Sequence, residues 1–215
     1  MISREWDAIR RELLAMAEDH GRARRELAAD GSLFQGYHPR MRTVHDAHAK
    51  RVGEILDSRG WPGLSQVGPE GANAAWLIVQ HAIAQPEFQR RALELFRAAI
   101  QRGDAPALQA AMLEDRIRTL EGRPQRYGTQ FDWDAGGQLS PLPIEDPAGI
   151  DVRRREIGLE PLEAAARRLR AAAQHEGEPP PDNWHARQRE MEAWCHEVGW
   201  RSRDAGTISC PGGGT

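Results

Sequence analysis

Apolar residues recur at helical spacing through most of the chain, and this pattern predicts a mainly α fold. The first stripe, which includes Ile9 and Leu13, predicts a helix over residues 4–29. A second stripe predicts a helix over 39–58, which Pro39 opens at its first position. Further helices are predicted over 86–102, 105–121, 152–157 and 161–173.

Residues 72–84 are apolar nearly all round, which predicts a central helix buried on most of its sides. The preceding segment, 59–71, holds several glycines and two prolines, so an ordered loop is expected there. Asp104 is expected to cap the helix that begins near Pro106.

The pattern changes to alternation after Gly122, and a short β-hairpin is predicted over about 126–144, with a turn at Asp134–Gly137. The expected fold is therefore mainly α: a compact multi-helix domain around a buried central helix, with one hairpin and a C-terminal helical appendage. The predicted divisions are a globular domain with a polar pocket over 1–173, a proline-containing linker over 174–183, an amphipathic helix over 184–199 and a flexible tail over 200–215.

Composition limits the classes of function. The chain has 215 residues, 40% of them hydrophobic and 28% charged, with a formal net charge of −3. The sequence shows no basic face that would predict nucleic-acid binding. It also shows no apolar run that would predict a signal peptide or a membrane span, so a cytoplasmic protein is expected. The two cysteines cannot form a disulfide framework.

Several polar side chains fall on the apolar faces of the predicted helices. On the second helix His45 and His48 fill gaps in the stripe, and His20 fills a gap on the first helix. His81 lies on a polar seam of the central helix, and Asp115 borders an apolar face. Burying such groups without partners costs about 1–3 kcal/mol each, so the pattern predicts partners, ordered water or a ligand.

Three interpretations of these residues remain open. In the first, His81 or His45 acts as a general acid or base and Asp115 orients its ring. In the second, a divalent metal binds His45, His48 and His81. In the third, the histidines are hydrogen-bonded core residues, and Asp115 pairs with Arg116 as a structural ion pair.

Polar residues after Gly122 are candidates for substrate recognition, with a solvated hairpin edge as the alternative. Pro124 and Gly128 imply a defined backbone there. The candidates are Gln125, Tyr127, Thr129 and Gln130, joined by Tyr37 before the second helix, which could line the mouth of a pocket.

The run from about Gly36 to Leu162 resembles an uncharacterised bacterial family of unknown function that shares a GxPQxYGTQ motif. Here the motif reads GRPQRYGTQF, with AAWLIVQHAI and LEDRI upstream and RRREIGL downstream. The resemblance implies a shared site and adds Trp76 to its candidate residues. It also implies that His20 and His48 are marginal and that His81, His45 and Asp115 form the essential core.

The leading hypothesis is a small metal-independent enzyme of hydrolase or lyase type, in which Arg116 binds an anionic group of a polar small substrate. A non-catalytic module that binds a small molecule or peptide is the alternative, and a histidine-ligated metalloprotein is the second. Whether the protein is an enzyme stays open. No cofactor is predicted beyond the alternative divalent metal. The helix over 184–198 is expected to form a homodimer contact or to dock a partner.

Overall fold

The computed structural model describes residues 3–34, 36–176 and 179–202, and within these ranges the fold is mainly α with one short hairpin. A short 3-10 helix, Ser32–Phe34, follows the first α-helix. The α-helices are α1 Arg4–Ala29, α2 Pro39–Arg59, α3 Leu64–His81, α4 Pro86–Gln101, α5 Ala107–Leu120, α6 Ile150–Glu156, α7 Leu162–Glu176 and α8 Trp184–Glu197. The predicted fold class is confirmed. None of the described helices has the combination of length and apolar character that crossing a bilayer requires.

Helix α3 is the central helix of the fold, as the sequence predicted. It packs along α1 and also contacts α2, α4 and α5. Its side chains at Ala75 and Val79 are fully buried in the main core, where Trp61 stacks on Phe96 with ring centroids 4.2 Å apart. The helix ends at His81, three residues before the predicted end, so the His81 ring projects from its last turn.

The prediction of a loop over 59–71 is wrong from Leu64 onward, because α3 already begins there. Gly68, at φ 69°, interrupts the helix, and Pro69 sits in the first turn of the continuing segment, where a missing N–H costs nothing. The glycines and prolines therefore mark a kink in a helix rather than a loop.

Asp104 does not cap α5, which is a second correction. Its carboxylate accepts hydrogen bonds from the N–H of Ser65 (2.6 Å) and from the Ser65 hydroxyl (3.0 Å), and its carbonyl accepts one from the N–H of Leu64 (2.9 Å). Asp104 thus satisfies the N-terminus of α3 across a long sequence separation. Gly63 has to be glycine for this contact, since a Cβ there would overlap the Asp104 carboxylate.

The hairpin pairs β1, Phe131–Trp133, with β2, Leu139–Pro141, in antiparallel register with Phe131 opposite Pro141. Asp134 closes the turn by accepting hydrogen bonds from the N–H groups of Gly136 and Gln138. The predicted hairpin is confirmed, with strands of three residues each.

The C-terminal part of the described chain belongs to the core. Helix α7 runs to Glu176, so it extends into the segment predicted as linker. Cys195 on α8 and Trp200 after it are 0% and 3% exposed. Trp200 donates a hydrogen bond from Nε1 to the carbonyl of Ile83 (2.6 Å), so a loose tail from residue 200 is wrong. The rest of that predicted tail, from residue 203, lies outside the described residues.

Candidate functional site

Three histidines from three helices converge at one end of the helical core. His20 of α1, His45 of α2 and His81 of α3 each offer a ring nitrogen, and these nitrogens all lie within 4.8 Å of one another. Nδ1 of His20 is 3.1 Å from Nε2 of His45, and the His81 ring centroid is 4.5 Å from that of His20. We call these three residues the histidine cluster. The convergence follows from helix packing, because each residue lies on a stripe that faces the neighbouring helices.

The histidine cluster is neutral at physiological pH. Burial, together with the charges of its neighbours, lowers the pKa of His45 to about 3. Burial also lowers the pKa of His20, and burial together with the nearby Arg116 guanidinium holds the pKa of His81 well below its usual range. Unprotonated imidazoles have a free lone pair on one nitrogen, which is the form that binds metals or accepts protons.

Tyr37 completes the hydrogen bonding of His45. Its hydroxyl oxygen lies 2.8 Å from His45 Nδ1, so both ring nitrogens of His45 have a polar neighbour. Burial raises the pKa of Tyr37, which keeps the hydroxyl protonated. Tyr37, His38 and Arg24 line a cavity of about 280 Å³ together with the histidine cluster. Tyr37 thus lies beside the cluster and lines the same cavity.

His48 does not belong to the cluster, so the predicted metal set of His45, His48 and His81 is corrected. Nε2 of His48 lies 3.3 Å from a carboxylate oxygen of Asp19 on α1. Three residues along a helix correspond to a rotation of about 300°, so His48 shares a broad face with His45 but points to a different neighbour. His20, expected to be marginal from the resemblance, occupies the third position instead. The available signal was its place on the inward stripe of α1.

Asp115 serves the hairpin loop rather than a histidine. It is fully buried, and its carboxylate accepts hydrogen bonds from the N–H groups of Arg126 (2.7 Å), Tyr127 (3.1 Å) and Thr129 (3.0 Å) and from the Thr129 hydroxyl (3.0 Å). Burial raises the pKa of Asp115, and the hydrogen bonds from the loop oppose this rise. Among the described residues no histidine hydrogen-bonds to this carboxylate, so its predicted role in orienting His45 or His81 is wrong at the level of contact.

The residues of the GRPQRYGTQF motif form a structural joint. Gln125 is fully buried and its amide donates to the carbonyls of Gln130 and Leu142 and accepts from the N–H of Gln130. Arg154 of α6 donates to the carbonyls of Tyr127 and Gly128 from the other side. The loop N–H groups therefore bind Asp115 while two of its carbonyls bind Arg154. These internal hydrogen bonds occupy the side chains of Gln125 and Thr129, which were predicted to contact substrate, whereas Tyr127 takes part only through its backbone N–H and carbonyl.

The remaining predicted site residues separate into core and cavity positions. Trp76 donates from Nε1 to the carbonyl of Gln109 (3.0 Å) and packs against the core, so it joins α3 to α5. Arg116 and Gln130 line a second cavity at the C-terminal end of α5. Arg116 donates from Nη1 to the carbonyl of Gln80 (3.0 Å), the residue next to His81. Burial lowers the pKa of Arg116 to about 10, which leaves it charged at neutral pH.

Comparison with known proteins places these residues in a family without an assigned activity. No curated protein and no solved structure matches the chain. A family model described as a family of unknown function, DUF6624, matches residues 7–176. The matched region holds the histidine cluster, Tyr37, Asp115, Arg116 and the loop motif, whereas α8 lies beyond it. Because the match covers most of the sequence, the chain belongs to the DUF6624 family.

Proposed function

We propose that the histidine cluster binds one divalent transition-metal ion of the zinc class and that the bound ion activates water for hydrolysis of a small substrate. The observation that carries this proposal is the convergence of three neutral imidazoles from three helices within 4.8 Å. Three protein ligands with a fourth position open to a cavity is the arrangement of catalytic rather than structural zinc sites.

The distances support a shared ion. Two nitrogens about 2.0–2.1 Å from a tetrahedral ion lie roughly 3.3 Å apart, and the nitrogens of His20 and His45 are 3.1 Å apart. The wider separation to His81 is within reach of a side-chain rotation at the end of α3. Imidazole nitrogen suits zinc, copper, iron and nickel, whereas calcium and magnesium prefer oxygen.

Tyr37 supports the ligand role of His45. With Nε2 directed at the ion, Nδ1 carries the proton and donates to the Tyr37 oxygen at 2.8 Å. A partner of this kind fixes the tautomer and the orientation of a ligand ring. The charge balance also bears on the substrate, because Arg24 lines the cavity and Arg116 lies close enough to lower the pKa of His81. An ion in this setting favours hydroxide or an anionic substrate at its open position.

The metal proposal is tested by metal content. Protein produced without an affinity tag, stripped with a chelator and titrated with Zn²⁺ or Co²⁺, is expected to bind one ion per chain, with Co²⁺ giving the strong visible absorption of a tetrahedral site. His45→Gln and His81→Gln are expected to weaken binding by at least the ~10–100-fold that loss of an outer hydrogen-bond partner costs a metal site. His48→Gln is the matched control, since it removes an imidazole from the same helix that faces Asp19.

Hydrolysis is tested separately with a chromogenic ester such as p-nitrophenyl acetate. The zinc-loaded protein is expected to cleave the ester faster than the stripped protein, and His45→Gln is expected to abolish the difference. If the stripped protein takes up no ion, or if His48→Gln weakens uptake as much as His45→Gln, the metal centre is rejected. If the ion binds but no ester or related substrate is cleaved, only the hydrolytic part is rejected.

A second candidate function is metal-free acid–base catalysis, and one observation favours it. Tyr37, His45 and His20 form a continuous hydrogen-bonded chain, with contacts of 2.8 and 3.1 Å, along which a proton can pass to or from the cavity. In this case His45 or His81 is the general acid or base without help from Asp115. Turnover that persists in the chelator and is lost in both His45→Gln and Tyr37→Phe would support this candidate over the metal centre.

A further inference from the structure

A second, larger cavity is lined by Arg116 and shares Ile83 with the cavity of the histidine cluster. It has a volume of about 450 Å³ and is walled by the end of α5, the hairpin and α8. This volume is within the range of small-molecule sites. Its charged lining consists of four arginines and a single aspartate, which are Arg116, Arg123, Arg187, Arg201 and Asp132. We call this cavity the basic cleft.

Three of the four arginines have carboxylate partners. Arg187 binds Asp132 at 2.9 Å, Arg201 binds Glu192 at 3.2 Å, and Arg123 binds Glu121. Arg116 has no carboxylate within ion-pair distance in the ranges that the structure describes. Its Nη1 donates to the Gln80 carbonyl, and its Nε is buried without a hydrogen-bond partner.

Burying a cation without a counter-charge is costly. The transfer of its charge out of water costs several kcal/mol of free energy before any pairing is counted. The Nε of Arg187, which lines the cleft from α8, is also buried without a hydrogen-bond partner among the described residues. Two arginines of the same cleft, one on α5 and one on α8, therefore have incomplete hydrogen bonding. Guanidinium groups match the paired oxygens of carboxylate and phosphate, which are the acceptors that such a lining suits.

We infer that the basic cleft binds a small organic oxyanion, a carboxylate or phosphate compound, with Arg116 as its main anchor and Arg187 as the second. The rest of the lining fits an organic ligand. Apolar side chains of Leu120, Phe131 and Leu142 form part of the wall, and Gln130 contributes a polar side chain next to the hairpin. An anionic head group paired with a partly apolar body fits this mixed lining.

The cleft adjoins the histidine cluster but does not depend on a metal there. Ile83 lines both cavities, and Arg116 is held on the carbonyl next to His81. The two arginines differ in their relation to the family. Arg116 lies within the region that the family model matches, and Arg187 lies outside it. The anchor is thus placed in the region shared with the family, and the wall that α8 supplies belongs to the segment beyond it.

Binding is tested by calorimetric titration of inorganic phosphate and of benzoate into the chelator-stripped protein, with chloride at matched ionic strength as the blank. Saturable binding of at least one of the two is expected in the wild type. Arg116→Gln is expected to weaken it about tenfold or more, which is the loss that a charged hydrogen bond predicts. Arg97→Gln, which removes an arginine paired with Glu114 on the surface, is the matched control and is expected to leave binding unchanged.

Arg187→Gln provides a second variant at the rim, in case Arg116→Gln fails to fold, and is expected to weaken binding severalfold. His45→Gln is expected to bind both probes as the wild type does, so a failed metal centre leaves this inference standing. Which probe binds distinguishes a phosphate from a carboxylate ligand. The inference is overturned if neither probe gives saturable binding, or if Arg97→Gln weakens binding as much as Arg116→Gln and Arg187→Gln do.

Discussion

At the scale of single residues, two adjacent charged residues of α5, Asp115 and Arg116, have opposite roles. Asp115 has a hydrogen-bond donor for each carboxylate oxygen, whereas Arg116 has a buried Nε without an acceptor among the described residues. Helix phase predicted that the Asp115 carboxylate lies beside the packed face of α5, with Arg116 flanking it. It could not predict their partners, because successive residues turn by about 100° and the loop that meets Asp115 is positioned by tertiary contacts.

Asp115→Asn is expected to lower the free energy of unfolding by about 2–4 kcal/mol, because an amide N–H₂ would replace one carboxylate oxygen and face two of the three loop N–H groups that this carboxylate binds. Urea unfolding followed by circular dichroism measures this loss. Asp57→Asn is the control, since Asp57 forms an exposed ion pair with Arg91 and its loss is expected to cost less than about 1 kcal/mol. An Asp115→Asn protein of normal stability that has lost activity would restore the role of orienting a histidine.

The histidine cluster predicts a pH dependence for the stability of the stripped protein. The folded pKa values of His20, His45 and His81 are lowered from 6.5, so the unfolded chain takes up protons first as the pH falls. Stability is therefore complete above pH 6.5 and declines as the pH falls below that value, by up to about 1.4 kcal/mol per pH unit for each histidine.

Urea unfolding between pH 7.5 and 4.5 measures this slope. His45→Gln removes one of these protonation sites and is expected to flatten the curve, while His175→Gln, which removes an exposed histidine of α7, is the comparison. An equal slope in the wild type and in His45→Gln would show that His45 protonates alike in the folded and unfolded chains.

At the scale of elements, local signals predicted what local interactions determine. The helix over 4–29 and the start of α2 at Pro39 agree with the structure because propensity, amphipathic spacing and end residues act within the segment. The start of α3 at Leu64 was missed because its cap, Asp104, comes from a distant part of the chain. The hairpin was found, yet the role of its preceding loop was not, since Arg154 of α6 reaches it from outside.

The loop joint depends on a glycine at position 128. Gly128 has φ +64°, and a Cβ there would lie 2.7 Å from Cδ1 of Leu162 on α7. Gly128→Ala is expected to lower the free energy of unfolding by about 2–4 kcal/mol, from backbone strain plus overpacking. Gly103→Ala is the matched control, because Gly103 has φ +73° with open space around it, so only the strain of about 1 kcal/mol is expected. If thermal melts show that the two variants lose equal stability, a steric contribution from Leu162 of α7 is rejected.

At the scale of the whole molecule, α8 forms one wall of the basic cleft and also reaches Tyr37, which lines the cavity of the histidine cluster. Trp194 on this helix meets the Tyr37 ring edge to face at 5.8 Å, and Cys195 lines the basic cleft. Trp200 is anchored on the carbonyl of Ile83 and lies under the Arg90 guanidinium. The sequence predicted the helix from its apolar edge, but an amphipathic edge does not identify what it covers. Its predicted use as a dimer or partner contact stays a prediction.

The docking of α8 can be measured through the thiol of Cys195. Burial covers this side chain completely and raises its pKa, so both access and thiolate content are low. In a Cys210→Ser background, iodoacetamide is expected to alkylate the native protein at least tenfold more slowly than the urea-unfolded protein. Trp200→Ala is expected to speed alkylation of the folded protein severalfold, because α8 loses its apolar anchor and its hydrogen bond together.

Trp200→Phe separates these two contributions, since it keeps most of the buried ring and loses only the bond to Ile83. Its alkylation rate is expected to lie between those of the wild type and Trp200→Ala, with circular dichroism confirming that the helical core remains folded in all three proteins. Fast alkylation of the wild type would mean that α8 leaves the core on the time scale of the reaction. In that event the basic cleft would lose the wall that carries Arg187, and ligand binding there would have to be coupled to the closing of α8.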